Sequence, residues 1–376
     1  MRWLASNKES PIAGAARLPY SAEVSLDLPL PSATLMFFSK GALSAGDLNI
    51  TTSAELTDVA RINIAVHYVA TAVRDTTKVC FLKRKAGETG VGIFTPQQWW
   101  DRRQTDRLYF EVELILPRGS YINGLATDVN NLSQDLDNLK DIITFGSIFL
   151  QGSNGPIHAK ALGAANATLQ TSNGEVSLDY LVALNAVVSS NNNGISGNYQ
   201  VSESLDLTTS NGPIEVTVGI NGSETPKSLS MHTSNSAIDA VVNLDTTSGR
   251  GGNFLVKADT SNGRLTTRIA SAPLDSVLNL QAETSNSPGS VTLPLTYEGS
   301  LTMHTSNAPS FIWRVDRIEQ DPACKAHSDC KGRTRTIGTH MVANGKAEGA
   351  VYWERKNANR GNVTLQSSNG AVSFYV

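Results

Sequence analysis

Three cysteines in 376 residues are too few for a disulfide-rich scaffold. Charged residues make up only 17% of the chain and aromatics 6%, and the formal net charge is −3. So sparse a charge excludes a long coiled coil and a charged disordered tail. Its near balance excludes a chain-wide electrostatic hold on nucleic acid or on a membrane surface. No apolar run nears the roughly 18 residues that span a bilayer; residues 181–188 come nearest. Residues 1–20 hold no long apolar stretch, so no secretory signal is visible and the cytoplasm is the expected compartment. A phosphate-binding Walker loop, a Gly-x-Ser-x-Gly elbow and a His-Glu-x-x-His zinc helix are all missing.

What the chain does have is a repeat. An apolar residue, then x-Thr-Ser-Asn-Gly-x, then an aliphatic residue recurs, with its Asn at 154, 173, 192, 211, 235, 262, 286, 307 and 369. The first three steps are each 19 residues, the next four are 24, 27, 24 and 21, and the last is 62. Aligned on the Asn, the position four before is apolar (Leu150, Leu169, Val188, Leu207, Met231, Ala258, Ala282, Met303, Leu365). The position three before is polar (Gln151, Gln170, Ser189, Thr208, His232, Asp259, Glu283, His304, Gln366). Such alternation is the mark of a strand with one face buried and one wet. The buried phase flips across the Asn, so the chain turns a corner there. Asn-Gly suits a corner because both residues tolerate positive φ.

A meander of hairpins would place one phrase at every second turn, whereas a solenoid stacks each phrase about 4.8 Å above the last. The aligned Thr and Asn columns favour the solenoid. Stacked amides of Asn154, Asn173, Asn211, Asn235, Asn262, Asn286, Asn307 and Asn369 can then bond donor to acceptor as a structural ladder. The expected fold is all-β: a parallel β-helix, right-handed by the rule for parallel crossovers, with nine coils covering about 40 Å.

The recurrent "TSNG-x-I-x-V" phrase resembles the putative-adhesin family of β-solenoid domains of unknown function, in the form found in fungal proteins. The resemblance covers residues 145–376. Upstream, Val79-Cys-Phe-Leu-Lys-Arg-Lys, Gly90-Val-Gly-Ile-Phe-Thr-Pro and residues 108–117 are similar to the leader region of those proteins. The resemblance implies a β-helical rod and no established reaction.

Three parts are expected: a loose leader over 1–20, a β-rich N-terminal cap over 21–144, and the solenoid over 145–376. The cap has strand-like runs at 61–70, 78–83 and 108–116, and a solenoid needs its open end covered. Leu132, Leu136, Leu139 and Ile143 fit a helical stripe, predicting a short helix before the repeats. An insertion over 314–360 holds ten basic and six acidic residues (+4), while 146–313 hold six and twelve (−6). A solvated surface loop is the plain expectation for this insertion; the charge asymmetry suggests instead that it folds back on the repeats or faces a partner.

Little is left over for chemistry. Trp99 and Trp100 with Arg102 and Arg103 offer stacking for a sugar ring or a base. Cys324, His327 and Cys330, with His340 beyond, carry zinc-type donors at a spacing that matches no finger. A metal, a Cys324–Cys330 disulfide and unbonded thiols all remain open readings, and no metal or cofactor is assigned. Cys80, in an apolar run, reads as a small core residue. His232 and His304 share the polar column three coils apart, about 14 Å, too far for one metal. Asp259 and Glu283 are the only stacked carboxylates, the minimum a glycoside-processing site needs. The function these residues support is a non-catalytic structural or binding protein, adhesin-like, with a protein or carbohydrate surface as partner. Nucleic acid and a membrane span are excluded. A carbohydrate-processing β-helix enzyme and a scaffold using the 314–360 insertion are the alternatives.

Overall fold

The computed structural model describes residues 3–6, 18–30, 33–99, 106–314, 320–325, 333–343 and 345–376. Among these, strands dominate, and Thr71–Arg74 is the only α-helix. The fold is all-β, as the alternation predicts, but the sheet is mixed: most pairings are parallel and several are antiparallel. The chain forms two compact units, Met1–Val182 and Ala183–Val376.

In the first unit, Tyr20–Pro29, Val59–Tyr68 and Leu108–Pro117 pair antiparallel. Parallel pairing continues from Leu108–Pro117 to Ala45–Ser53, Asn131–Asn138 and the start of Ile157–Thr171. A second series begins with the antiparallel pair Lys78–Leu82 and Glu88–Phe94, then runs parallel through Thr34–Lys40, Tyr121–Val129, Thr144–Gly152 and the end of Ile157–Thr171. Inward residues such as Phe37, Leu48, Ile93, Val112, Leu125 and Leu169 are almost fully buried between the two series.

The stretch expected to be helical is the strand Asn131–Asn138. A spacing of four residues keeps one face in a strand as well as in a helix. Leu132 and Leu136 are both buried, and Gln134 between them is buried too, where it accepts a hydrogen bond from Thr127. A polar residue on the apolar stripe hid the period of two.

The second unit repeats a two-strand rung. One series consists of residues 204–209, Lys227–Thr233, Asn253–Thr260, Val277–Thr284, Asn362–Ser367 and Gly299–Thr305, each parallel to the last. The other consists of residues 195–201, Ile214–Asn221, Ile238–Asp245, Leu265–Ser271, Gly289–Thr292, Val372–Tyr375 and Ser310–Trp313. Like residues fall in register: Leu205, Leu229, Val256, Leu280, Val363 and Leu301 form one buried column.

Two features depart from sequence order. The rung of Asn369 lies between those of Asn286 and Asn307, so His232 and His304 are four steps apart rather than three. The described part of the insertion is more than a surface loop: Thr336–Ala343 and Lys346–Tyr352 form an antiparallel hairpin, and Lys346–Tyr352 pairs with Gly299–Thr305. The hairpin thus closes the edge of the first series. Trp353 is buried, its indole N–H donating to the Leu295 carbonyl at 2.9 Å. Glu298 accepts from the Trp353 and Glu354 backbone N–H groups at 2.7 and 3.0 Å and from the Asn357 amide at 2.8 Å. Arg360 pairs with Asp275 at 2.7 Å, so charge of opposite sign fastens the insertion within this unit.

Candidate functional site

The repeat residues act first on one another. In the first unit, the Asn173 amide donates to Asn154 at 2.7 Å and Asn154 to Asn131 at 2.5 Å. In the second, Asn211 donates to Asn192, Asn235 to Asn211, Asn262 to Asn235 and Asn286 to Asn262, at 2.7–2.8 Å. Asn369 donates to Asn286 at 2.7 Å, and Asn307 to Asn369 at 2.8 Å. These side chains are exposed, as a corner position requires.

Beside the Asn, the Thr column bridges rungs from inside. Thr209 Oγ1 donates to the Asn193 carbonyl at 3.1 Å and accepts from the Gly212 N–H at 3.1 Å. Thr260 does the same with Ser236 and Gly263, and Ser367 with Ser287 and Gly370. The glycine serves a different end from the one expected. Gly212 and Gly263 do not have positive φ. A Cβ on either would strike the backbone carbonyl of the neighbouring rung, Asn193 or Ser236. Close approach of rung to rung, rather than turn geometry, demands Gly there.

Of the stacking group, Trp99 is half-buried and its indole N–H donates to Asp106 at 3.2 Å. Trp100, Arg102 and Arg103 lie outside the described residues, as do His327 and Cys330. Cys324 is exposed and Cys80 half-buried. Among the described residues, no group of three or more His, Cys, Asp or Glu side chains is placed to hold a metal ion. Asp259 and Glu283 are register neighbours. Asp259 is engaged by His232 Nδ1 and, at 3.2 Å, by Lys257.

A trough of about 960 Å³ lies in the first unit. It lies over the outward face of the antiparallel-to-parallel series and carries Glu23, Asp47, Glu111, Glu113, Asp135 and Asp137, with Lys160 and His158 at one side. The carboxylates are largely engaged. Asp47 accepts from Tyr109 and, at 2.6 Å, from Ser133. Glu113 accepts from Asn63 at 3.2 Å, and Asp137 takes Lys160 at 3.0 Å. The Lys160 bond, with the Asn138 backbone N–H second, holds the Asp137 carboxyl below the usual range. Burial, reinforced by Asp47, pushes the Tyr109 phenol up. No run of sequence announces this trough, because its walls come from strands far apart in the chain and out of order. Alternating acids such as Glu111 and Glu113 were the one available sign.

No helix among the described residues is long and apolar enough to cross a membrane.

No curated protein matches the chain. Among solved structures, it is similar to a putative cell adhesion protein from Clostridium sporogenes at 10% identity, covering 94% of this chain and 99% of that one, with a TM-score of 0.18. It is also similar to putative adhesins from Parabacteroides merdae (12% identity, 72% and 95% covered, TM-score 0.32) and Bacteroides fragilis (14%, 69% and 97%, 0.29). Residues 185–312 match a family described as a domain of unknown function, DUF7330.

Proposed function

We propose that the chain is a non-catalytic, adhesin-like binding protein whose repeats form a right-handed parallel β-solenoid with an asparagine ladder along its corner. The observation that supports this reading is the register of the second unit. Two series of parallel strands alternate rung by rung, and like residues stack on like in both. A scaffold of this kind presents outward side chains as a regular array while its own polar groups are absorbed in cross-rung bonds. Asp259, engaged by His232 and Lys257, is an ion-pairing residue in this array rather than a proton carrier for glycoside cleavage.

The test is retention without turnover. The full chain is mixed with chitin, cellulose and β-1,3-glucan particles and with mucin-coated beads, then sedimented, and the supernatant is assayed for new reducing ends. The expected result is retention on at least one surface and no soluble product. Product release that disappears in Glu283→Gln would replace the reading with the enzymatic one. Absence of retention on every surface would remove it.

A further inference from the structure

The last rungs of the second series end in an unusual outward face. Across four neighbouring strands, Thr266, Ser290, Ser373 and Phe311 stand side by side in register, and Arg268, Thr292, Tyr375 and Trp313 form the next column. The face changes along its length from hydroxyl and guanidinium to aromatic. Trp313 is 51% exposed, Phe311 40% and Tyr375 38%. The Phe311 and Trp313 rings lie 5.8 Å apart, inclined by 28°. Among the described residues, no hydrogen bond or ion pair engages the hydroxyls of Thr266, Ser290, Thr292 and Ser373 or the Arg268 guanidinium. These polar groups contrast with the Asn and Thr columns, where every amide and hydroxyl described above is bound to the next rung.

Size selects the class of ligand. Three rung steps and one column step enclose about 14 by 7 Å, roughly 100 Å². A protein partner needs about 800 Å² on each side. A patch this small suits a small amphipathic ligand, and exposed aromatics clustered beside solvent-facing polar groups mark a binding surface. A pyranose ring has the matching chemistry: one face of C–H groups that packs on an aromatic ring, and a rim of hydroxyls that bonds hydroxyl and guanidinium groups.

We propose that Trp313, Tyr375 and Phe311, with Arg268 and the adjoining hydroxyls, bind a short run of pyranose rings in a polysaccharide. This inference rests on the binding-protein reading and names its ligand class and its site. The aromatic end stacks on the sugar faces, and Thr292, Ser373 and Arg268 set their orientation.

The experiment titrates the full chain with cellohexaose, laminarihexaose and chitohexaose, followed by calorimetry and tryptophan fluorescence. Saturable binding of at least one hexasaccharide is expected. Trp313→Ala should weaken it at least tenfold, and Tyr375→Ala and Arg268→Ala should each weaken it severalfold. Tyr121→Ala, at an exposed aromatic of the first unit, should leave it unchanged. Because Trp313 is exposed, its truncation should leave the thermal transition in place, which separates lost binding from lost folding. No binding of any of the three, or unchanged affinity in Trp313→Ala, overturns the proposal. If Trp313→Ala is still retained on the particles that hold the wild-type chain, this site falls and the binding-protein reading stands. If the wild-type chain is retained on none, the broader reading falls instead.

Discussion

Thr209 sits beneath the turn of its own repeat and reaches the rung before it. Its side chain is 1% exposed, and its one hydroxyl both donates to Asn193 and accepts from Gly212. Thr209→Val keeps the shape and removes both bonds, leaving the buried Gly212 N–H without its acceptor and breaking the part-buried tie to Asn193. Chemical denaturation should show a loss of about 1–3 kcal/mol. Asn211 also makes two cross-rung bonds, to Asn192 and from Asn235, but in solvent. Asn211→Ala should therefore cost less, about 1 kcal/mol, since water replaces both partners. An equal or larger loss for Asn211→Ala would mean that the exposed amides, rather than the buried hydroxyls, tie the rungs together. The Asn column was the more conspicuous in the sequence; burial gives the Thr column the greater weight.

Elements that repeat were legible, because the strand period puts an apolar residue at every second position and the repeat fixes its phase. Leu207, Met231, Ala258 and Ala282 align in the sequence alone, and they stack. Residues 131–138 were misread because a buried glutamine broke the alternation and left a spacing common to helix and strand. The insertion defied local reading for another reason: what orders it is pairing with Gly299–Thr305 and with charges distant in the chain. Within the insertion itself, Glu354 is bonded to Lys356 and Arg333. Lys356, then Arg333, holds its carboxyl below the ordinary glutamate value. A lowered folded-state pKa contributes stability above the unfolded value of about 4.3, and that contribution fades as pH falls through the folded value. Carbon-13 NMR should find the Glu354 midpoint below the ordinary range, and Lys356→Met should raise it. A midpoint that stays put in the variant would assign the shift to Arg333 instead.

Across the chain, order in space departs from order in sequence in both units. In the first, Thr34–Lys40 and Ala45–Ser53 lie between the strands of 88–117 and those of 121–138. In the second, Asn362–Ser367 and Val372–Tyr375 lie between a rung laid down just before them in space and one laid down 62 residues earlier in the chain. A stack gains stability from each rung and from each interface between rungs. An intercalated rung therefore supports everything beyond it through two interfaces at once. Phe374 is fully buried, in register with Val291 on one side and Ile312 on the other. Phe374→Ala should cost about 3–5 kcal/mol. Its more telling effect is spatial. In hydrogen exchange by mass spectrometry, amides of 299–313 and of the hairpin over 336–352 should lose protection, although most of them are remote from residue 374 in sequence. Amides of 195–245, several rungs away in the same unit, should keep theirs. Uniform loss over 183–376 would mean that the unit opens as one cooperative body, and that the inserted rung is no separate point of weakness.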